Sequence, residues 1–200
     1  MSSAVSSMPE ALQPYFDKAM QAYAQGWYEY AIDLLSFVVG KAPEATDARR
    51  YLRLAIQRHH ASSPPSWLAR IAARIIIWPL QLWALGLAFQ GRHRQAVALY
   101  ERLLGLDPRA RALLFGLAGS LHRSALEDAA VATYEELLTL HPNYVPALRQ
   151  LAKLSMKRGQ DAQARQCLER ILTLTPNDLD AQQTLRNLDA LGTIKKGFSV

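Results

Sequence analysis

The side chains best suited to catalysis or metal binding are five histidines and one cysteine, and their spacing supports neither role. His59 and His60 are adjacent, so on a helix they point to different faces. His93, His122 and His141 have no carboxylate at the i+4 spacing of a helical metal site. The histidines are therefore interpreted as ordinary polar residues.

Cys167 is the only thiol, so it can form neither an internal disulfide nor a thiolate metal site. The ten glycines do not cluster into a phosphate-binding loop, and no serine stands in a nucleophile-elbow pattern. The sequence therefore predicts a protein that is not an enzyme and that holds no cofactor or metal.

The basic charge is concentrated in one quarter of the chain. The 200 residues carry 23 Lys and Arg against 17 Asp and Glu, a net charge of +6. Residues 46–95 hold eight arginines and one acidic residue, whereas residues 1–45 carry −3 and residues 96–200 carry +2. An excess of this kind favours an anionic partner, and its meaning depends on where the segment lies in the fold.

A 34-residue repeat organises most of the chain, because residues of matching type recur at that interval in five columns. The columns are Ala84, Ala118 and Ala152; Gly91, Ala125 and Gly159; Ala96, Ala130 and Ala164; Tyr100, Tyr134 and Leu168; and Pro108, Pro142 and Pro176. This pattern is typical of a helix hairpin. The alanines permit close helix packing, the glycine column marks the turn, and the proline ends the repeat.

These columns resemble the tetratricopeptide repeat (TPR) family. The matching residues of one repeat are Leu80-Gln81-Leu82-Trp83-Ala84, Gln90-Gly91, Ala96, Tyr100 and Asp107-Pro108. The resemblance implies helix–turn–helix repeats that stack into a right-handed superhelix. The chain departs from the family at Ala125, where glycine is commoner, and at Leu168, where an aromatic residue is commoner.

The predicted fold class is an all-α solenoid of about five such repeats with a C-terminal capping helix. The expected boundaries are a leader at 1–11, repeats at 12–45, 46–76, 77–110, 111–144 and 145–178, a cap at 179–191 and a tail at 192–200. The interval from Gly26 to Gly91 is three positions short of two periods, so the second repeat is atypical. Its second helix is expected to begin near Ser66, and Gly192 is expected to end the cap.

The resemblance implies a concave groove lined by the first helix of each repeat. The candidate partner-binding residues change from apolar to basic along the chain: Phe16, Met20, Tyr23, Gln81, Leu85, Phe89, Phe115, His122, Arg123, Arg149, Lys153, Met156 and Lys157. The gradient predicts a non-catalytic adaptor or scaffold in a larger assembly, which binds a partner peptide or helix with an apolar anchor and an acidic end. Phe16 and Met20 replace residues with which some family members clamp a terminal carboxylate, which argues against that mode.

Segment 67–89 is the most apolar stretch and supports an alternative function. Arg70, Arg74 and Pro79 oppose a membrane span, but a basic helix with tryptophans can lie in the headgroup layer. The alternative is a peripheral membrane adaptor that uses segment 46–95 on anionic lipid. Its candidate residues are Arg49, Arg50, Arg53, Trp67, Arg70, Arg74 and Trp78. Packing of this segment inside the repeat array is the competing interpretation, and nucleic acid is a weaker candidate partner.

The N-terminal residues have neither a basic start nor an apolar run, so no secretory signal is predicted. The expected location is the cytoplasm of a bacterium, with peripheral attachment at the inner membrane under the alternative function. The sequence does not predict the oligomeric state.

Overall fold

The computed structural model describes residues 8–42, 45–62 and 67–197, and the side chains of all of these except 67–76 and 191–197. In these ranges the regular structure is helical throughout. A short 3₁₀ helix, Glu10–Leu12, precedes ten α-helices. They are α1 Gln13–Ala24, α2 Tyr28–Lys41, α3 Thr46–Ser62, α4 Trp67–Phe89, α5 His93–Leu106, α6 Arg111–Arg123, α7 Glu127–Leu140, α8 Val145–Lys157, α9 Asp161–Leu174 and α10 Leu179–Gly197.

Four tight turns follow α1, α4, α6 and α8, and each has one residue in the left-handed conformation. The φ angles are +83° at Gly26, +77° at Gly91, +62° at Ala125 and +70° at Gly159. In every turn the next residue donates its N–H to the carbonyl five positions earlier, at 2.8 to 3.0 Å. This is the Schellman ending, which favours glycine because a Cβ is strained at positive φ. The predicted turn column is therefore confirmed.

The other columns occupy the positions that the repeat predicts. Ala84, Ala118 and Ala152 are buried, as are the members of the next two columns: Ala96, Ala130 and Ala164, and Tyr100, Tyr134 and Leu168. The prolines stand two residues beyond the ends of α5, α7 and α9. The alanines thus lie where the helices pack together, and the bulky residue one turn later fills the adjoining core.

Helix α4 differs from the expectation of two separate elements around residue 76. It runs from Trp67 to Phe89 with Pro79 inside it, so the predicted boundary between the second and third repeats falls within a continuous helix. Before Gly86 the helix contains no Gly, Asn or Asp, the residue types that tolerate the left-handed turn. Ser66, where the helix was expected to begin, lies outside the described residues.

Helix α10 continues to Gly197, so the prediction that Gly192 ends the cap is wrong. Glycine inside a helix costs only about 1 kcal/mol relative to alanine, which does not by itself end a helix. The residues that continue α10 include Lys195 and Lys196, which are good helix formers.

The chain divides into two compact units, Met1–Ala132 and Thr133–Val200. In the first, a core of alanines, leucines and valines joins α1, α2 and α3. In the second, α9 packs against both α8 and α10. The repeat boundaries given above remain predictions.

Candidate functional site

A cavity of about 300 Å³ lies among α8, α9 and α10 in the second compact unit. Three of the predicted groove residues, Arg149, Lys153 and Met156, lie on its α8 wall. Leu168 and Ile171 of α9 add apolar surface. The structure therefore brings together a thioether, two cationic side chains and an apolar wall, as the sequence predicted for this end of the groove.

Arg149 is tied to the neighbouring helix rather than left for a ligand. Its Nη2 lies 2.5 Å from Oδ2 of Asp178, whose other carboxylate oxygen accepts the N–H of Ala181 at 3.1 Å. Asp178 therefore caps α10 and fixes it beside α8. Lys153 and Lys157 are exposed. The positive charge presented to a ligand thus comes chiefly from the two lysines.

The predicted groove residues of α1 are half-buried and pack with other aromatic side chains. The Phe16 and Tyr51 rings have centroids 6.0 Å apart, and Tyr23 lies 6.3 Å from Tyr51 and 5.7 Å from Tyr28. All three pairs are edge-to-face, the geometry that aromatic rings prefer. Met20 is also half-buried. These residues therefore stabilise the α1–α3 core and leave only part of their surface for a partner.

On α6, Phe115 and His122 are half-buried and Arg123 is exposed. His122 stands in the last turn before the left-handed turn at Ala125. The predicted continuity of these residues with Arg149 and Lys153 stays a prediction.

The C-terminal half of α4 carries an apolar stripe that the sequence analysis predicted only in part. Trp78, Leu82, Leu85 and Phe89 follow the i, i+4, i+7, i+11 spacing of one helix face, with exposed fractions of 71%, 55%, 46% and 81%. Gln81 beside them is half-buried. Within the described residues, no helix combines the length and hydropathy that a membrane crossing needs. The stripe is thus a surface feature of α4, which we call the α4 stripe.

Two of the arginines predicted for an anionic surface are buried instead. Arg49 and Arg53 are only 1% and 4% exposed, and Arg49 Nε lies 3.3 Å from Oε1 of Glu101 on α5. The prediction failed because these residues lie on the α3 face that packs inward, where the long side chains reach across to another helix. Arg50 is exposed. The side chains of the predicted Trp67, Arg70 and Arg74 lie outside the described residues.

A larger cavity, of about 740 Å³, lies among α2, α3 and α5 in the first compact unit. Its walls include Leu52, Ile56 and Val97, with Arg94 and Arg102 also lining it. The sequence analysis did not predict it. The available signal was the deficit of three positions between Gly26 and Gly91, which was taken only as a shortened repeat. We call this space the α2–α3–α5 cavity.

Two models of the tetratricopeptide repeat match the chain, one at residues 82–145 and the other at residues 123–188. Together they extend over 82–188, just over half of the 200 residues. The chain is a tetratricopeptide repeat protein. The predicted all-α TPR fold class is therefore confirmed. Residues 12–76 lie outside both matches, in agreement with the irregular second repeat.

Solved TPR structures share this fold at low sequence identity. The second TPR domain of human RPAP3, in complex with the HSP70 peptide SGPTIEEVD, is 18% identical, with a TM-score of 0.53 over 58% of this chain and 98% of that one. The Yersinia enterocolitica type III secretion chaperone SycD, with a peptide of the translocator YopD, is 18% identical, with a TM-score of 0.52 and coverages of 62% and 95%.

The TPR protein TTC0263 from Thermus thermophilus covers more of the chain. It is 17% identical, with a TM-score of 0.50 over 88% of this chain and 98% of that one. None of the curated proteins compared with the chain matches it in sequence.

The titratable residues of this TPR protein are held in structural roles. Burial, and then the negative charge of Glu135, raise the pKa of the Cys167 thiol to about 11, so the reactive thiolate is disfavoured at neutral pH. His60 Nε2 lies 3.1 Å from the carbonyl oxygen of Gly105, which joins α3 to α5. The described residues contain no group of three or more His, Cys, Asp or Glu arranged to hold a metal ion.

Proposed function

We propose that this TPR protein is a non-catalytic interaction module of a larger assembly, which binds a partner peptide or helix along its repeats. The observation that carries the proposal is the cavity of about 300 Å³ beside α8, where Lys153 and Met156 lie together with buried apolar residues. Such a site fits a peptide segment that carries both an apolar and an acidic side chain. The cytoplasm is the proposed location.

Two of the similar structures support a peptide ligand. The human RPAP3 domain is in complex with the peptide SGPTIEEVD, which contains three acidic residues, and SycD is in complex with a translocator peptide. In the present chain the half-buried Phe16 and Met20 offer no charge for a terminal carboxylate. We therefore propose recognition of acidic side chains at the α8 end rather than a clamp on the peptide terminus.

The experiment begins with affinity capture from the source cell, with and without detergent, followed by measurement of the dissociation constant for the captured partner. Lys153→Glu should weaken binding at least about tenfold, since it replaces attraction with repulsion at the cavity edge. Arg149→Glu with Lys153→Glu should abolish capture, while circular dichroism shows that the helices remain.

The matched control is Arg186→Glu, which makes the same charge change on the exposed side of α10 away from the cavity. It should leave the dissociation constant within about twofold of wild type. Equal affinity of wild type and the Arg149→Glu, Lys153→Glu double variant would remove the α8 cavity from the proposed site.

A second candidate function is peripheral attachment to a membrane, because the α4 stripe exposes two aromatic and two leucine side chains. Contiguous exposed apolar surface of this kind marks protein or membrane contacts. The arginines buried in α3 do not contribute, so Arg50 and the stripe would carry the contact. We propose that the stripe would lie in the headgroup layer of an anionic inner membrane.

Vesicle co-sedimentation tests this candidate with pure phosphatidylcholine and with phosphatidylcholine in which about one third is replaced by phosphatidylserine, a content chosen to give a clear surface charge. Preferential sedimentation with the anionic vesicles, lost in Trp78→Glu with Phe89→Glu, is the expected result. Equal binding to both lipids, or binding to neither, contradicts it.

A further inference from the structure

Three helices of the first compact unit present one face each to the α2–α3–α5 cavity. The lining residues follow helical spacing: Ile32 and Val39 on α2, Leu52 and Ile56 on α3, and Ala98 and Arg102 on α5. Three helix faces that converge on a space of about 740 Å³ form the surroundings that a fourth helix has in a packed repeat protein. The shape of the cavity thus indicates a helical occupant.

The repeat register places a helix in this space. The second helices α5, α7 and α9 begin at His93, Glu127 and Asp161, each one full period after the last. Helix α2 begins at Tyr28, and the interval from there to His93 is three positions short of two periods. Nearly two periods therefore separate α2 from α5, and one second helix is expected between them.

Helix α4 cannot supply that second helix. In a hairpin the second helix runs antiparallel to the first, so it must be preceded by a turn and followed by another. Helix α4 instead continues without a turn from Trp67 into the first helix of the next repeat at Ala84. In the described residues, α3 consequently faces α5 directly, through Arg49 with Glu101 and through His60 with the Gly105 carbonyl.

The charges at the cavity select an acidic occupant. Arg94 and Arg102 are exposed and stand two turns apart on α5, where they line the cavity. The carboxylate of Glu101 is paired with Arg49, and the half-buried His59 and His60 stand at the α3 side. The surroundings therefore carry net positive charge beside apolar walls, which complements a helix with one apolar face and acidic edges.

We propose that the α2–α3–α5 cavity binds an acidic amphipathic helix of a partner protein, which takes the place of the missing second helix. The regular second helices are 14 residues long, so the occupant would extend over about 21 Å. The cavity volume lies within the range of about 300–1,000 Å³ typical of ligand sites. The inference rests on the repeat register and does not depend on the α8 cavity.

Two helices of this chain serve as matched probes. Peptides with the sequences of α7 and α5 have the same length and share the packing residues Ala, Tyr and Leu of the second-helix columns. The α7 peptide has four acidic and no basic residues, whereas the α5 peptide has two arginines and one glutamate. Acetylated and amidated, they differ chiefly in charge.

Fluorescence anisotropy with labelled peptides and the full chain measures the dissociation constants. The α7 peptide should bind at least about tenfold more tightly than the α5 peptide or a scrambled α7 peptide, because only it pairs with Arg94 and Arg102 while burying an apolar face. Arg94→Glu with Arg102→Glu should reverse the preference. If the α7 peptide binds no better than its scrambled version, the proposal is wrong.

Two variants that fill the space from opposite walls locate the binding. Ala98→Trp on α5 and Ser36→Trp on α2 replace exposed side chains, so the fold should survive, as a thermal melt by circular dichroism checks. Each should weaken α7-peptide binding at least about tenfold by occupying the cavity. Undiminished binding in both folded variants would place the peptide elsewhere and overturn the proposal.

Sedimentation velocity distinguishes a second copy of this chain from a partner protein. The proposal expects that the oligomeric state of the wild type is the same as that of Ala98→Trp. A wild-type dimer that Ala98→Trp converts to a monomer would show that the occupant is another copy of the chain, and would overturn the assignment to a partner.

Discussion

The second repeat and the fifth repeat (residues 46–76 and 145–178) use similar residues in different ways. In the fifth repeat, α8 and α9 form a tight hairpin around Gly159, and Ser155 Oγ donates to Oε1 of Gln163 across it. In the second, α3 is followed by α4, which passes straight into the next repeat. One region closes a hairpin and the other leaves a cavity.

The difference shows that the turn decides whether a repeat is completed. The apolar columns of segment 67–89 are rich enough for two helices, but no residue there supplies the left-handed turn before Gly86. The continuous helix keeps every backbone hydrogen bond except the one that Pro79 cannot donate. An irregular repeat can therefore arise from turn chemistry while the core pattern remains intact.

The largest expected effect separates the ion pairs of the two regions. Arg49→Ala should lower the free energy of unfolding by about 3–5 kcal/mol, because it leaves the largely buried Glu101 without its cation and opens space at α3. Arg149→Ala should cost about 1–2 kcal/mol, because Arg149 is half-exposed and water can replace it near Asp178. Urea unfolding followed by circular dichroism measures both. Equal losses would contradict the distinction between a buried and a surface pair.

A smaller effect tests the close packing between α5 and α6. A Cβ at Gly116 would lie 2.5 Å from Cζ of the buried Tyr100 ring, so Gly116→Ala should cost about 1–3 kcal/mol. Gly86 on α4 has nothing within 4 Å of the added Cβ. Gly86→Ala should instead stabilise by up to about 1 kcal/mol through helix propensity. Thermal melts of the two variants should shift in opposite directions, and a shared direction would exclude the steric explanation.

The sequence was sufficient for most of the fold because its signals were local or periodic. The columns through Ala118, Ala130 and Pro142 follow from helix packing and helix termination, and they predicted the regular hairpins. The burial of Arg49 was not predictable in this way, because it depends on a contact with Glu101, distant along the chain, that the repeat register does not contain. The α2–α3–α5 cavity was missed for the same reason, since it arises where the register fails. At α8 the lysines and Met156 followed the register and were predicted.

The turn of the fifth repeat gives the next prediction. Gly159→Ala places a Cβ at φ +70°, which should cost about 1 kcal/mol after the smaller entropy of the unfolded alanine chain is allowed for. Nothing lies within 4 Å of that Cβ, so the loss would come from backbone strain alone. Chemical unfolding of Gly159→Ala measures it. An unchanged midpoint would mean that the turn relaxes to negative φ, and that the tight turn is not what distinguishes the regular repeats.

The smallest effect reverses that change in the fourth repeat. Ala125 already holds the left-handed position at φ +62°, close to the value that residues with a Cβ prefer there. Ala125→Gly should therefore stabilise by only about 0.5 kcal/mol, as the relief of strain is partly offset by the greater entropy of unfolded glycine. Ala125→Val at the same site should destabilise, because a β-branched side chain tolerates positive φ poorly. The order Gly, Ala, Val in unfolding midpoint would show that turn conformation sets the stability of this hairpin, and any other order would contradict it.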